Sequence, residues 1–158
     1  MKRAATVLLA VFTAITFSCS SDDDDNNNND DSYIAFKVNG IQKEFDTETL
    51  TSQSTLILGF EGSGSTYQAV SLWLPNNATV GTHTIVPNNG SQIDVYSAIY
   101  NETFDLQAEA TTGTLVITSI TENFITGTFS FTGTDSEGTT YNITEGEFKA
   151  DNGSIPEE

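Results

Sequence analysis

One cysteine, one histidine and five basic residues make up the whole of three functionally important classes in this 158-residue sequence. Each scarcity excludes something. With Cys19 alone, no disulfide can form within the chain. With His83 as the sole imidazole, zinc lacks the three or four nitrogen or sulfur ligands it needs. A Ser-His-Asp triad would have to use that same His83, in Gly81-Thr82-His83-Thr84-Ile85, and no Gly-x-Ser-x-Gly elbow exists to hold a nucleophile. "GSGSTY" fails the dinucleotide pattern at Tyr67, so no cofactor is expected. Five bases against 22 acids leave a net charge of -17, which repels nucleic acid and anionic membrane surfaces alike. No apolar run reaches the ~20 residues of a spanning helix.

What is present begins at a sharply divided N-terminus. Met1-Lys2-Arg3 precedes an apolar and hydroxylic run from Ala4 to Ser18, the pattern of a secretory signal. Cys19 then sits at a seam, followed by Ser20, Ser21, Asp22, Asp23, Asp24 and Asp25, four asparagines, Asp30 and Asp31. No core can form among such neighbours, so Cys19 reads as a thiol to be modified. Thr16-Phe17-Ser18-Cys19 resembles the lipobox of bacterial lipoproteins. That resemblance implies a diacylglyceryl anchor of palmitate type on Cys19, although Thr16 stands where leucine is usual. Stable anchoring takes more than one acyl chain, which such a modification supplies. The run from Ser20 to Asp25 resembles the export signal of Bacteroidetes lipoproteins, which implies an outer-membrane protein facing the cell exterior. The plainer alternative is a solvated spacer, since nothing in the run can offset its ordering entropy.

The organisation expected is therefore a signal peptide over 1–18, a lipidated cysteine with an acidic tether over 19–32, one β domain over 33–149 and a disordered tail over 150–158. The domain is rich in valine, isoleucine, threonine, tyrosine and phenylalanine, which suit pleated surfaces. "YIAFKVNGIQKEF" places two alternating runs around Asn39-Gly40, the preferred pair of a type I′ hairpin. In "TYQAVSLWLP", Val70, Leu72 and Leu74 share one face and Tyr67, Ala69, Ser71 and Trp73 the other. "SQIDVYSAIY" sets Ile93, Val95 and Ile99 against Asp94, Tyr96 and Tyr100. "TFDLQAEA" directs Phe104, Leu106 and Ala108 inward. "GTLVITSI" and "FITGTFSFTG" pair through Thr121-Glu122-Asn123. In "TYNITEGEFK", Phe148 falls out of phase with Ile143, and a β-bulge near Gly146 restores it. Nine or ten short strands without helical periodicity predict an antiparallel β-sandwich of about nine strands, with a small closed, lipocalin-like β-barrel as the alternative.

"FKVNGIQKEF", "PNNATVGTHTI", "GTLVITSITENFITGTFSF" and "YNITEGEF" together resemble an uncharacterised family of small Bacteroidetes surface lipoproteins with a single β domain. The resemblance covers most of Tyr33 to Lys149 and implies a fold and a location, with no catalytic residue to carry across.

Among candidate sites, Asp94, Glu102, Asp105 and Glu109 contain enough carboxylates for a glycosidase pair, but outward alternation reads them as a solvated face. Asp135-Ser136-Glu137-Gly138 resembles half a calcium loop and lacks its later ligands; a hairpin turn explains it better. The positive signal is aromatic. Tyr67, Trp73, Tyr96 and Tyr100, with Asp94 and Asp105 beside them, form the candidate ligand surface, where rings stack on sugars and carboxylates accept hydroxyl hydrogen bonds. The function expected is a non-catalytic binding or accessory module held to the membrane through its lipid, with a glycan or an envelope protein as partner. The alternatives are an assembly lipoprotein bound to an envelope protein and, third, a glycoside-acting enzyme.

Overall fold

A computed structural model describes residues 32–87 and 94–153. Cys19, Ser20, Ser21, Asp22, Asp23, Asp24, Asp25 and Ile93 lie outside the described residues. Nine strands follow in order: β1 (Tyr33–Val38), β2 (Ile41–Thr51), β3 (Ser54–Glu61), β4 (Gln68–Pro75), β5 (Gly81–Ile85), β6 (Ser97–Asn101), β7 (Gln107–Ile120), β8 (Phe124–Thr134) and β9 (Thr140–Asp151).

Every pairing is antiparallel, and eight strands close on themselves in the order β1-β2-β3-β4-β6-β7-β8-β9 and back to β1. β5 is the ninth, laid along β7 beyond the stretch that β6 occupies: Ile99–Asn101 meets Gln107–Glu109, and Gly81–Ile85 meets Gly113–Ile117. The architecture is thus the small closed barrel, and the expected sandwich is corrected. The deciding contacts are long-range. β1 pairs on one edge with β2 and on the other with β9, while β7 pairs with both β6 and β8. A sandwich would break this ring into two sheets.

Local signals account for the turns and bends. Asn39 and Gly40 both take positive φ, 49° and 85°, and close a two-residue hairpin between the paired Val38 and Ile41. The predicted bulge is present on β9. Phe129 pairs with Gly146 but Phe131 pairs with Ile143, so β9 carries one extra residue there, and Glu145 has φ 51°. That residue returns Phe148 to the interior. Gly146 is required at the bulge, because a Cβ would lie 2.6 Å from the Phe129 carbonyl oxygen and 2.7 Å from its ring. β7 is longer than expected, with two bulges of its own. These reset its inward phase from Ala108 and Ala110 to Leu115 and Ile117, then to Ile120.

The interior is filled. Phe36 sits among rings from three other strands, with centroids 5.5 Å from Phe45, 6.1 Å from Tyr100 and 6.1 Å from Phe129. Val70, Leu72 and Leu74 point inward as expected, each fully buried. Small barrels are commonly packed this way, whereas lipocalins keep a ligand chamber. Two phase expectations are corrected. Tyr100, expected outside, lies inside the barrel and is 0% exposed. β6 is buried on both faces, so alternation there carries no phase information. Phe104, expected inside, is 69% exposed, because it belongs to the loop before β7 and not to a strand.

The two ends of the barrel differ. The β1–β2, β3–β4, β6–β7 and β8–β9 connections all open at one end. The described chain begins at the other, where the Ser32 hydroxyl donates to the Asp151 carboxylate at 3.0 Å.

Candidate functional site at the open end of the barrel

The inward phase of three strands continues past the apolar core into polar residues. Lys43 precedes Phe45 by two, Gln68 precedes Val70 by two, and Glu102 follows Tyr100 by two. Their side chains meet at the open end. The Lys43 ammonium donates to Gln68 Oε1 at 2.6 Å and lies 3.9 Å from Glu61. Gln68 Nε2 donates to Glu102 Oε1 at 3.4 Å, and the Tyr100 hydroxyl donates to Glu102 Oε2 at 2.6 Å. Tyr141 packs its ring 5.4 Å from Tyr100 and donates its hydroxyl to Asp135 Oδ2 at 3.3 Å. A cavity of about 220 Å³ opens between Val38, Ile41, Lys43, Gln68, Glu102 and Tyr141.

Burial holds the Tyr100 phenol far above its ordinary range, reinforced by the hydrogen bond to Glu102 and its charge. Tyr141 is raised too, by burial first and then by the charges of Asp135 and Glu102. Both phenols therefore remain protonated at neutral pH and serve as hydrogen-bond donors, not as bases. Asp135 goes the other way. Desolvation pushes its carboxyl up, but the backbone N–H groups of Thr139 and Glu137 and the Tyr141 hydroxyl outweigh it and leave it below the usual value. Its Oδ1 accepts those N–H groups at 2.8 and 2.9 Å, closing the β8–β9 turn. The suggested half calcium loop is thus a self-satisfied turn. Among the described residues, no three His, Cys, Asp or Glu side chains are grouped to hold a metal ion.

Outside the rim lies an aromatic ridge. Tyr67 sits between Phe60 and Phe104, with ring centroids 6.2 and 6.0 Å away. Phe60 is 37% and Phe104 is 69% exposed. A cleft of about 380 Å³ runs beside the ridge between Gly64, Ser65, Thr103, Phe104 and Asp105.

The six residues predicted as a ligand surface are dispersed over the molecule. Tyr67 and Asp105 reach this rim. Trp73 lies on the outer face of β4, paired with Leu56 and Ser97 on the adjacent strands. Tyr96 stacks on His83, 4.0 Å apart and 15° from parallel, while His83 Nε2 donates to the Thr79 carbonyl at 2.7 Å. Asp94 is exposed ahead of β6, and Tyr100 is inside. Sequence reasoning missed Phe60, Phe104, Lys43 and Gln68. The signal for the last two was a polar residue extending an inward phase at the tip of a strand.

These features define a class: a closed antiparallel barrel with a packed interior, a polar mouth and an aromatic rim. Residues 41–150 match the model of a family described as a domain of unknown function, DUF6252, and the chain belongs to that family. No curated protein and no solved structure matches the chain.

Proposed function

We propose that this protein is a lipoprotein of the bacterial outer membrane, anchored through Cys19 and displayed on the cell surface, whose barrel is a non-catalytic binding module. The observation that carries the binding role is the Phe60–Tyr67–Phe104 ridge. Three large rings are held against one another at the rim, with Phe104 well exposed and Phe60 partly so. Exposed contiguous apolar surface of this kind marks interaction sites. The ridge lies at the end of the barrel opposite Ser32, where the described chain begins. The filled interior supports recognition at the rim in place of enclosure.

The anchor is tested by fractionating cells that carry native protein or Cys19→Ala. Native protein stays with the membrane and is trimmed by external protease, while the variant is released; two soluble forms would remove the anchor. The ligand role is tested on the same cells with a photo-crosslinking side chain replacing Phe104 or, at the opposite end, Glu122. Adducts at position 104 alone are expected, and equal or absent labelling at both positions refutes a binding rim.

A further inference from the structure

We infer that the aromatic ridge receives a cationic side chain, arginine above all, from a basic segment of a partner protein. The inference rests on the binding-module reading and names its ligand.

Separate observations converge on it. The ridge presents aromatic faces, which attract cations through the ring quadrupole. Tyr67 and Phe104 meet at 68°, forming a corner and not a flat platform. A carboxylate, Asp105, lines the cleft beside Phe104 and is exposed, while Glu61 is already paired with Lys43 in the mouth. No cation of the described chain fills the cleft. Lys37 binds Glu145 at 2.6 Å, Lys149 lies 4.2 Å over the Phe124 ring, and Lys43 turns into the mouth toward Gln68. Finally, the net charge of -17 draws cations and turns away phosphates, nucleic acids and anionic lipid. A neutral sugar would stack on one ring and gain nothing from this field. Arginine is favoured over lysine because its planar guanidinium both stacks on a ring and presents a two-pronged donor to a carboxylate such as Asp105.

The test uses the full chain carrying Cys19→Ala, and isothermal titration at low and at high salt. The probe is the peptide Ser-Gly-Arg-Gly-Arg-Gly-Arg-Gly-Ser; the comparison probes are its citrulline twin and neutral maltohexaose. The arginine peptide should bind saturably and the citrulline peptide should not. Phe104→Ala and Asp105→Asn should each weaken binding by about 5- to 30-fold. Phe104 is too exposed for its truncation to unfold the barrel, which an unchanged melting midpoint verifies. Glu122→Gln, a like charge change at the opposite end, should alter affinity less than about twofold. Equal losses in Asp105→Asn and Glu122→Gln would reduce the effect to general charge attraction and overturn the inference. Maltohexaose binding abolished by Phe104→Ala, with the arginine peptide indifferent to that variant, would overturn it while leaving the binding module standing. Failure of the arginine peptide to bind also overturns it; the crosslinking at position 104 then decides separately whether the rim binds anything.

Discussion

Removing one hydroxyl from inside the barrel should make the protein less stable at neutral pH and comparatively more stable in alkali. The change is Tyr100→Phe. The Tyr100 hydroxyl is 2.6 Å from the Glu102 carboxylate, and the residue is 0% exposed. A hydrogen bond to a charged group contributes about 1.5–3 kcal/mol. Glu102 is only half-buried and keeps Gln68 within reach, so the lower figure applies, about 1.5 kcal/mol. The pH dependence follows from the raised pKa of Tyr100. In the folded state the phenol holds its proton above pH 10, whereas the unfolded chain releases it near pH 10. Stability is then fully present below that value and falls by about 1.4 kcal/mol per pH unit above it. The variant has no phenolic proton to lose at this position, so the two stability curves should approach and meet about one unit above the free phenol value, near pH 11. Urea titrations of both proteins at half-unit steps from about pH 8 to 12 provide the comparison. Tyr141 and the lysines act in both proteins and cancel in the difference. Curves that stay parallel across that range would refute the claim that Tyr100 is held protonated by the fold.

Two further perturbations probe the frame around the mouth. Gly146→Ala drives a methyl group against the Phe129 carbonyl and ring, and should cost about 1–3 kcal/mol in chemical denaturation, far more than a surface substitution. Asp135→Ala should lower the melting midpoint at neutral pH by freeing the N–H groups of Glu137 and Thr139. Because the Asp135 carboxyl is lowered in the fold, its contribution is present above the unfolded value of about 4 and disappears as pH falls through the folded one. Melting curves of the variant and the parent should therefore converge in acid, and a constant offset down to about pH 2 would contradict this.

Much of the local geometry was legible in the residues. Asn39-Gly40 requires two positive φ angles that few other pairs supply. The misplaced Phe148 required an extra residue near Gly146, and the inner face of β4 followed from plain alternation. What escaped reading shares one cause: it depends on partners distant in sequence. An inward apolar face looks the same whether it covers a second sheet or curls round upon itself. The pairings of β1 with β9 and of β7 with both β6 and β8 distinguish the two, and no single strand encodes them. Tyr100 was misplaced because the strand starts at Ser97 and both its faces are covered, so extending a pattern from Ile93 could not set the phase. Phe104 was assigned to a strand that begins three residues later, at Gln107. The mouth needed side chains from β2, β4, β9 and the loop after β6 to converge, and none of these segments is polar enough alone to announce it.

The seating of β1 between β2 and β9 also governs when the molecule can fold. Tyr33, near the start of the domain, pairs with Lys149, near its end. A chain emerging from a ribosome or a translocation channel cannot close this ring until its final strand is free, however early the β1–β2 hairpin forms. Closing so long a loop before its contacts are made is slow, on the order of milliseconds to seconds for all-β topologies of this kind. The topology itself thus withholds the compact state until the last strand arrives.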